Sequence, residues 1–309
     1  MPTIETPAGI TLAYETYGSP EDPPLLLVMG YAGQLIHWPR GFSEMLAAGG
    51  RHVIAFDNRD AGLSTKFDGV AVDMEALVAA AQAGDAERVK EIAAYTLSDL
   101  ADDCVGVLDG LGIDCAHVLG ASMGGMIAQQ LAIEHPERLL SLTSMMSTTG
   151  EPEYDRPTDE ALQALLAPSP PERDAYVETS ADKVVIWASR RYFDRARAVA
   201  AAAEAYDRGF YPEGVPRQLA AILATGPRAE GLRALAVPTL VIHGLDDTLI
   251  PPPGGERTAE LVPDARLLLV EDMGHDRPEE LWPLLTDAIL EFTAAAGEAG
   301  VTAPASDPA

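Results

Sequence analysis

The chain has 309 residues, with 21 Lys and Arg against 48 Asp and Glu, a formal charge of −27 and 47% hydrophobic residues. That is ample apolar material for a core, and the acidity opposes nucleic acid and anionic membrane surfaces, whose phosphates need a basic patch. No run reaches the roughly 18 apolar residues of a membrane span, and Met1 to Tyr17 shows no basic, apolar signal region. Two cysteines, Cys104 and Cys115, are too few for a disulfide scaffold and read as reduced thiols of a cytoplasmic protein.

In chain order, Ile10, Leu12 and Tyr14 alternate with Thr11, Ala13 and Glu15, as in a half-buried antiparallel strand. Leu25 to Met29 is a solid apolar run, which suits a central parallel strand covered on both faces. Similar runs follow at 53–56, 117–119, 139–146, 239–242 and 267–270. Residues 73–95 read as an extra helix. Leu97, Leu100, Cys104, Val107, Leu108 and Leu111 share one helical face. Met126, Ile127 and Leu131 predict a helix that stops at Pro136, and Leu281 to Phe292 predicts a last one. In that last helix Pro283 is tolerable only within the first turn. Alternating strand and helix predicts an α/β fold: a mostly parallel, doubly wound sheet with helices on both faces.

Residues 148–235 carry no strong strand and are punctuated by prolines, so they read as a helical lid inserted in a core of 1–147 and 236–297. Residues 298–309 are small and polar and read as a disordered tail.

Gly120-Ala121-Ser122-Met123-Gly124 matches G-x-S-x-G between a predicted strand and a predicted helix, the context in which this pattern exposes a nucleophilic serine. A serine needs a base, and the base needs an orienting acid. Of six histidines, only His275 sits in a loop after the last strand, at the carboxyl edge where such sheets bind ligands. The acid is expected after the strand 239–242, where Asp246 and Asp247 stand side by side. Asp247, followed by the anchoring Leu249-Ile250-Pro251, is the candidate, and Asp246 reads as a turn carboxylate. The oxyanion needs two backbone donors: the amide of Met123, next to the nucleophile, and that of Tyr31, after Gly30. Ile36, Met145, Met146, Trp187 and Tyr192 are candidates for an apolar substrate pocket, each equally at home in the core.

Five stretches carry a family resemblance: VMGYAGQLIHWP (28–39), FDNRDAGLS (56–64), GASMGG (120–125), PTLVIHGLDD (238–247) and DMGH (272–275). Together they resemble the α/β-hydrolase superfamily, and within it the aclacinomycin methylesterase-like actinobacterial hydrolases. The likeness spans about residues 3–295 and weakens across 148–235. It implies an eight-stranded sheet with a helical lid, Ser122 as nucleophile, His275 as base, Asp247 as acid, and the Tyr31 and Met123 amides as oxyanion hole. Asp60 stands where the superfamily more often has glycine, and the charges of Asp57 to Asp60 read as braces for loops. The helix at 73–95 also departs from the methylesterases.

The expected activity is hydrolysis of a carboxylic ester of a small to medium apolar molecule. Thioester, lactone or perhydrolase chemistry at the same site, or a non-catalytic binder of the same fold, are the alternatives. No zinc-ligand spacing or phosphate-cradling loop is present, so neither metal nor organic cofactor is expected. A homodimer through the lid is compatible with the sequence, which carries no signal for it.

Overall fold

The structure is a computed structural model that describes residues 1–154 and 156–301. Among them, β1 (Thr3–Glu5), β2 (Thr11–Tyr17), β3 (Pro24–Val28), β4 (His52–Phe56), β5 (Ala116–Ala121), β6 (Leu139–Met145), β7 (Thr239–Gly244) and β8 (Arg266–Val270) form one sheet. Its order is β1-β2-β4-β3-β5-β6-β7-β8. β2 runs antiparallel to β1 and β4, and every other pairing is parallel. This is the expected α/β architecture.

The helices are α1 (Arg40–Ala48), α2 (Met74–Ala83), α3 (Ala86–Ile92), α4 (Leu97–Gly110), α5 (Met123–Glu134), α6 (Asp159–Leu166), α7 (Arg173–Trp187), α8 (Arg195–Gly209), α9 (Gly214–Thr225), α10 (Ala229–Arg233), α11 (Pro252–Leu261) and α12 (Trp282–Val301). The solid apolar strands follow from covering both faces. Leu26 and Val28 of β3 join a core with α4 and α5, while Leu25 and Leu27 join one with α1 and α12. All four side chains are fully buried, each worth about 1.5–3 kcal/mol of apolar transfer. Pro283 falls at the second residue of α12, where its missing N–H costs nothing.

Three elements escaped the sequence reading: β1, α1 and α11. The stretch 73–95 is two helices rather than one. Gly84 closes α2 at φ +70°, and the Asp85 side chain accepts from the Arg88 amide to open α3. The segment between β6 and β7 holds α6 to α10 and no strand among the described residues. Asp155 and residues 302–309 lie outside the described residues, and α12 runs to Val301 before them. No helix among the described residues is long and apolar enough to cross a membrane.

Register gathers the loops of interest. Val28 pairs with Gly120, Ala121 with Met145, Met145 with Ile242, and Gly244 with Val270. Parallel strands in this register release the segments after β3, β5, β6, β7 and β8 at one carboxyl edge.

Candidate active site

Ser122 is the single residue between β5 and α5, at φ +58° and ψ −124°. A serine in that region is strained by about 1–3 kcal/mol, and the surroundings must hold it there. They do so by excluding side chains: a Cβ on Gly120 would strike the Gly124 carbonyl, and one on Gly124 the Val28 carbonyl. The Ser122 amide donates to Met145 O at 2.9 Å, and Ser147 Oγ donates to Ser122 O at 2.8 Å. This is why the pattern needs its glycines.

His275, in the loop after β8, spans two partners. Its Nδ1 lies 2.7 Å from Asp247 Oδ2, and its Nε2 lies 2.9 Å from Ser122 Oγ. The carboxylate assigns the proton to Nδ1, which leaves the Nε2 lone pair facing the serine hydroxyl. Asp247 is buried, and its Oδ1 accepts from the amides of Leu249 and Ile250, both at 2.9 Å. Asp246 is half-buried, and its amide donates to Met273 O at 2.9 Å. Two adjacent carboxylates thus avoid sharing one desolvated site.

Behind Asp247 stands the fully buried His243. Its Nε2 donates to Ile250 O at 2.7 Å and lies 3.6 Å from Asp247 Oδ2, while its Nδ1 has no partner. Burial pushes this imidazole below its usual pKa, so it closes the Asp247 loop as a neutral ring.

Gly30 approaches the serine closely: a Cβ there would lie 2.9 Å from Ser122 Cβ. The Tyr31 amide therefore belongs to the loop facing Ser122, and the Met123 amide is the first of α5, among the N–H groups a helix leaves free. The charged run behind this loop braces it. Asp57 accepts from the Leu35 and Leu63 amides and pairs with Arg208 at 2.8 Å. Asn58 Nδ2 donates to Met29 O at 2.8 Å, and Arg59 grips Asp103. Asp60 sits at φ +64°, a left-handed position that glycine adopts without strain. Here its carboxylate recovers the strain by accepting from Phe67 N, Tyr95 Oη and Arg217.

The pocket candidates are spread more widely. Ile36 is half-buried on the apolar cluster that encloses Met145 and Met146. Trp187 ends α7, and its carbonyl accepts from the His275 amide at 2.6 Å. Tyr192 is half-buried beside the Arg191 guanidinium, 5.1 Å from its ring centre. Neither of two clefts, one between α3 and α9 and one beside Tyr176 and Phe210, is lined by Ser122, Asp247 or His275. Asp276 also went unread in the sequence. It accepts from Ser189 N and Gly274 N at 2.9 and 3.2 Å, and burial lifts its pKa. Among the described residues, no three His, Cys, Asp or Glu side chains gather so as to hold a metal ion.

The sequence matches the profile of the alpha/beta hydrolase fold family over residues 23–280. The chain belongs to that family. This hydrolase is 32% identical to rhodomycin D methylesterase DnrP of Streptomyces peucetius, over 96% of this chain and 99% of that protein. It is 29% identical, over the same shares, to rhodomycin D methylesterase DauP of Streptomyces sp. (strain C5). The resemblance to the methylesterase group is thereby borne out. Among solved structures, the meta-cleavage product hydrolase CumD of Pseudomonas fluorescens IP01 matches with a TM-score of 0.74 at 23% identity. That match covers 96% of this chain and 98% of the other, and at such identity it speaks for the fold alone.

Proposed function

We propose that the chain is a serine hydrolase that cleaves a carboxylic ester of a small to medium apolar molecule through an acyl-enzyme. The observation that carries this reading is His275, with one ring nitrogen 2.9 Å from Ser122 Oγ and the other 2.7 Å from a buried carboxylate.

His275 Nε2 takes the hydroxyl proton as Ser122 Oγ attacks the ester carbonyl. The carbonyl oxygen becomes an oxyanion and accepts from the Tyr31 and Met123 amides. The imidazolium is stabilised by Asp247, whose orientation is set by the two amides on Oδ1. Collapse breaks the ester C–O bond, and the proton on Nε2 passes to the departing alkoxide. Water, deprotonated by the same nitrogen, then attacks the acyl-enzyme, and collapse returns Ser122 and a carboxylic acid. The helices α6 to α10 act as a lid, and Trp187 and Tyr192 from that segment, with Ile36, Met145 and Met146 from the core, meet the apolar part of the substrate. The names of the two Streptomyces relatives support an ester with a small alcohol as leaving group.

The test is covalent. A fluorophosphonate should label the wild-type chain at Ser122 and leave Ser122→Ala unlabelled, and Ser122→Ala should lose p-nitrophenyl ester hydrolysis. Retained hydrolysis in that variant would reject the scheme.

A further inference from the structure

The residue after Tyr31 has a conformation its side chain does not favour. Ala32 sits at φ +55°, a left-handed position that a residue with a Cβ keeps only when its surroundings hold it. A local turn closes over it, with Gly33 N donating to Gly30 O at 3.1 Å, and a second hold comes from far along the chain. The Ala32 amide donates to Gln218 Oε1 at 2.8 Å, and Gln218 Nε2 donates to Arg59 O at 3.1 Å. Gln218 lies on α9 and is 1% exposed. On the other side of Tyr31, Asn58 Nδ2 donates to Met29 O. The Tyr31 peptide is thus clamped between two buried side-chain amides.

We infer that Gln218 is a positioning residue for the oxyanion hole: by holding Ala32 left-handed, it aims the Tyr31 N–H at the space in front of Ser122. This inference rests on the hydrolase reading above. A neutral amide suits the task, because it supplies an acceptor and a donor together and adds no negative charge beside a developing oxyanion. It also gives the extra helices α2 and α3 a purpose. Leu77, Ala80 and Val89 pack with Ala220 and Ala224 of α9 in a small apolar cluster of their own. They buttress the helix that carries Gln218.

The experiment compares Gln218→Met, nearly the same size without hydrogen bonds, with the double variant Gln218→Met/Ala32→Gly. Gln218→Met should lower kcat roughly 10- to 100-fold, less than the loss of a whole oxyanion donor, with KM within about 3-fold of wild type. Amide exchange across residues 29–33 should quicken in the same variant. Glycine adopts the Ala32 conformation without strain, so the double variant should regain most of the lost kcat. Gln218→Asn, which draws the amide back by one methylene, should give a milder form of the same pattern and guards against a fold defect. Unchanged kcat and exchange would overturn the proposal, as would a kcat loss that Ala32→Gly does not restore. Exchange at 29–33 is read without turnover, whereas fluorophosphonate labelling of wild-type Ser122 decides the hydrolase reading by itself.

Discussion

The main-chain amide of His275 donates to the carbonyl of Trp187 at 2.6 Å, tying the loop that carries the imidazole to the end of α7. Gly274 makes the approach possible, since a Cβ there would strike the Trp187 carbonyl oxygen and the carbonyl carbon of Ala188. Gly274→Ala must part the loop from α7 or displace His275. A displacement near 1 Å costs about 100-fold in well-positioned catalysis, so kcat/KM for a p-nitrophenyl ester should fall by that order. Activity within a few-fold of wild type would mean that this approach is not needed for the site.

The Arg217–Asp60 pair gives a second prediction. Both side chains are buried, at 3% and 0% exposure, and the guanidinium grips both carboxylate oxygens at 2.8 and 2.9 Å. Arg217→Met leaves a buried carboxylate without its cation and should cost about 3–5 kcal/mol. Adding Asp60→Gly removes that carboxylate and suits the φ of +64°, so the double variant should recover a large part of the loss. Urea denaturation of the four chains in the cycle measures this, and simple additivity of the two losses would contradict it.

His117 ties stability to pH. Burial, with a smaller contribution from Arg51, lowers its pKa to about 4, and its Nδ1 meets Ser141 Oγ at 2.8 Å. In the unfolded chain the same ring titrates near its ordinary value of about 6.5. Above that pH both states are neutral and the group contributes nothing. Between about 6.5 and about 4 the unfolded chain binds a proton that the folded one refuses, so stability falls with pH, by up to roughly 3 kcal/mol. His117→Gln should lose this share, so its urea midpoint should decline less steeply between pH 7 and 4.5. Parallel curves for the two proteins would refute the assignment.

Charge yields a kinetic prediction. A net −27 repels anionic substrates over distances that salt screens. Raising ionic strength should increase kcat/KM for an acyl-CoA thioester and leave that for a neutral p-nitrophenyl ester unchanged. A neutral ester should remain the better substrate at low salt, and an acyl-CoA preferred there with no salt dependence would refute the argument.

Seven of the eight strands, the helices α4, α5 and α12 and the candidates Ser122, Asp247 and His275 were legible in the sequence. Each of these is a local signal. An apolar run four or five residues long admits few structures, and Gly120 and Gly124 announce a turn that rejects side chains. Chain order then leaves one histidine and one pair of acids at the right edge of the sheet. The short β1 and the helices α1 and α11 carry no comparable signal, and the break at Gly84 was hidden inside a continuous helical pattern. Which buried amides and charges meet one another is visible only in the folded chain. Gln218 and Ala32 are 186 residues apart, and Arg217 and Asp60 are 157. A buried glutamine or arginine has no periodicity to betray its partner. Its place is set by desolvation, which obliges each buried polar atom to find a counterpart across the fold, and that choice exists only once the helices have packed.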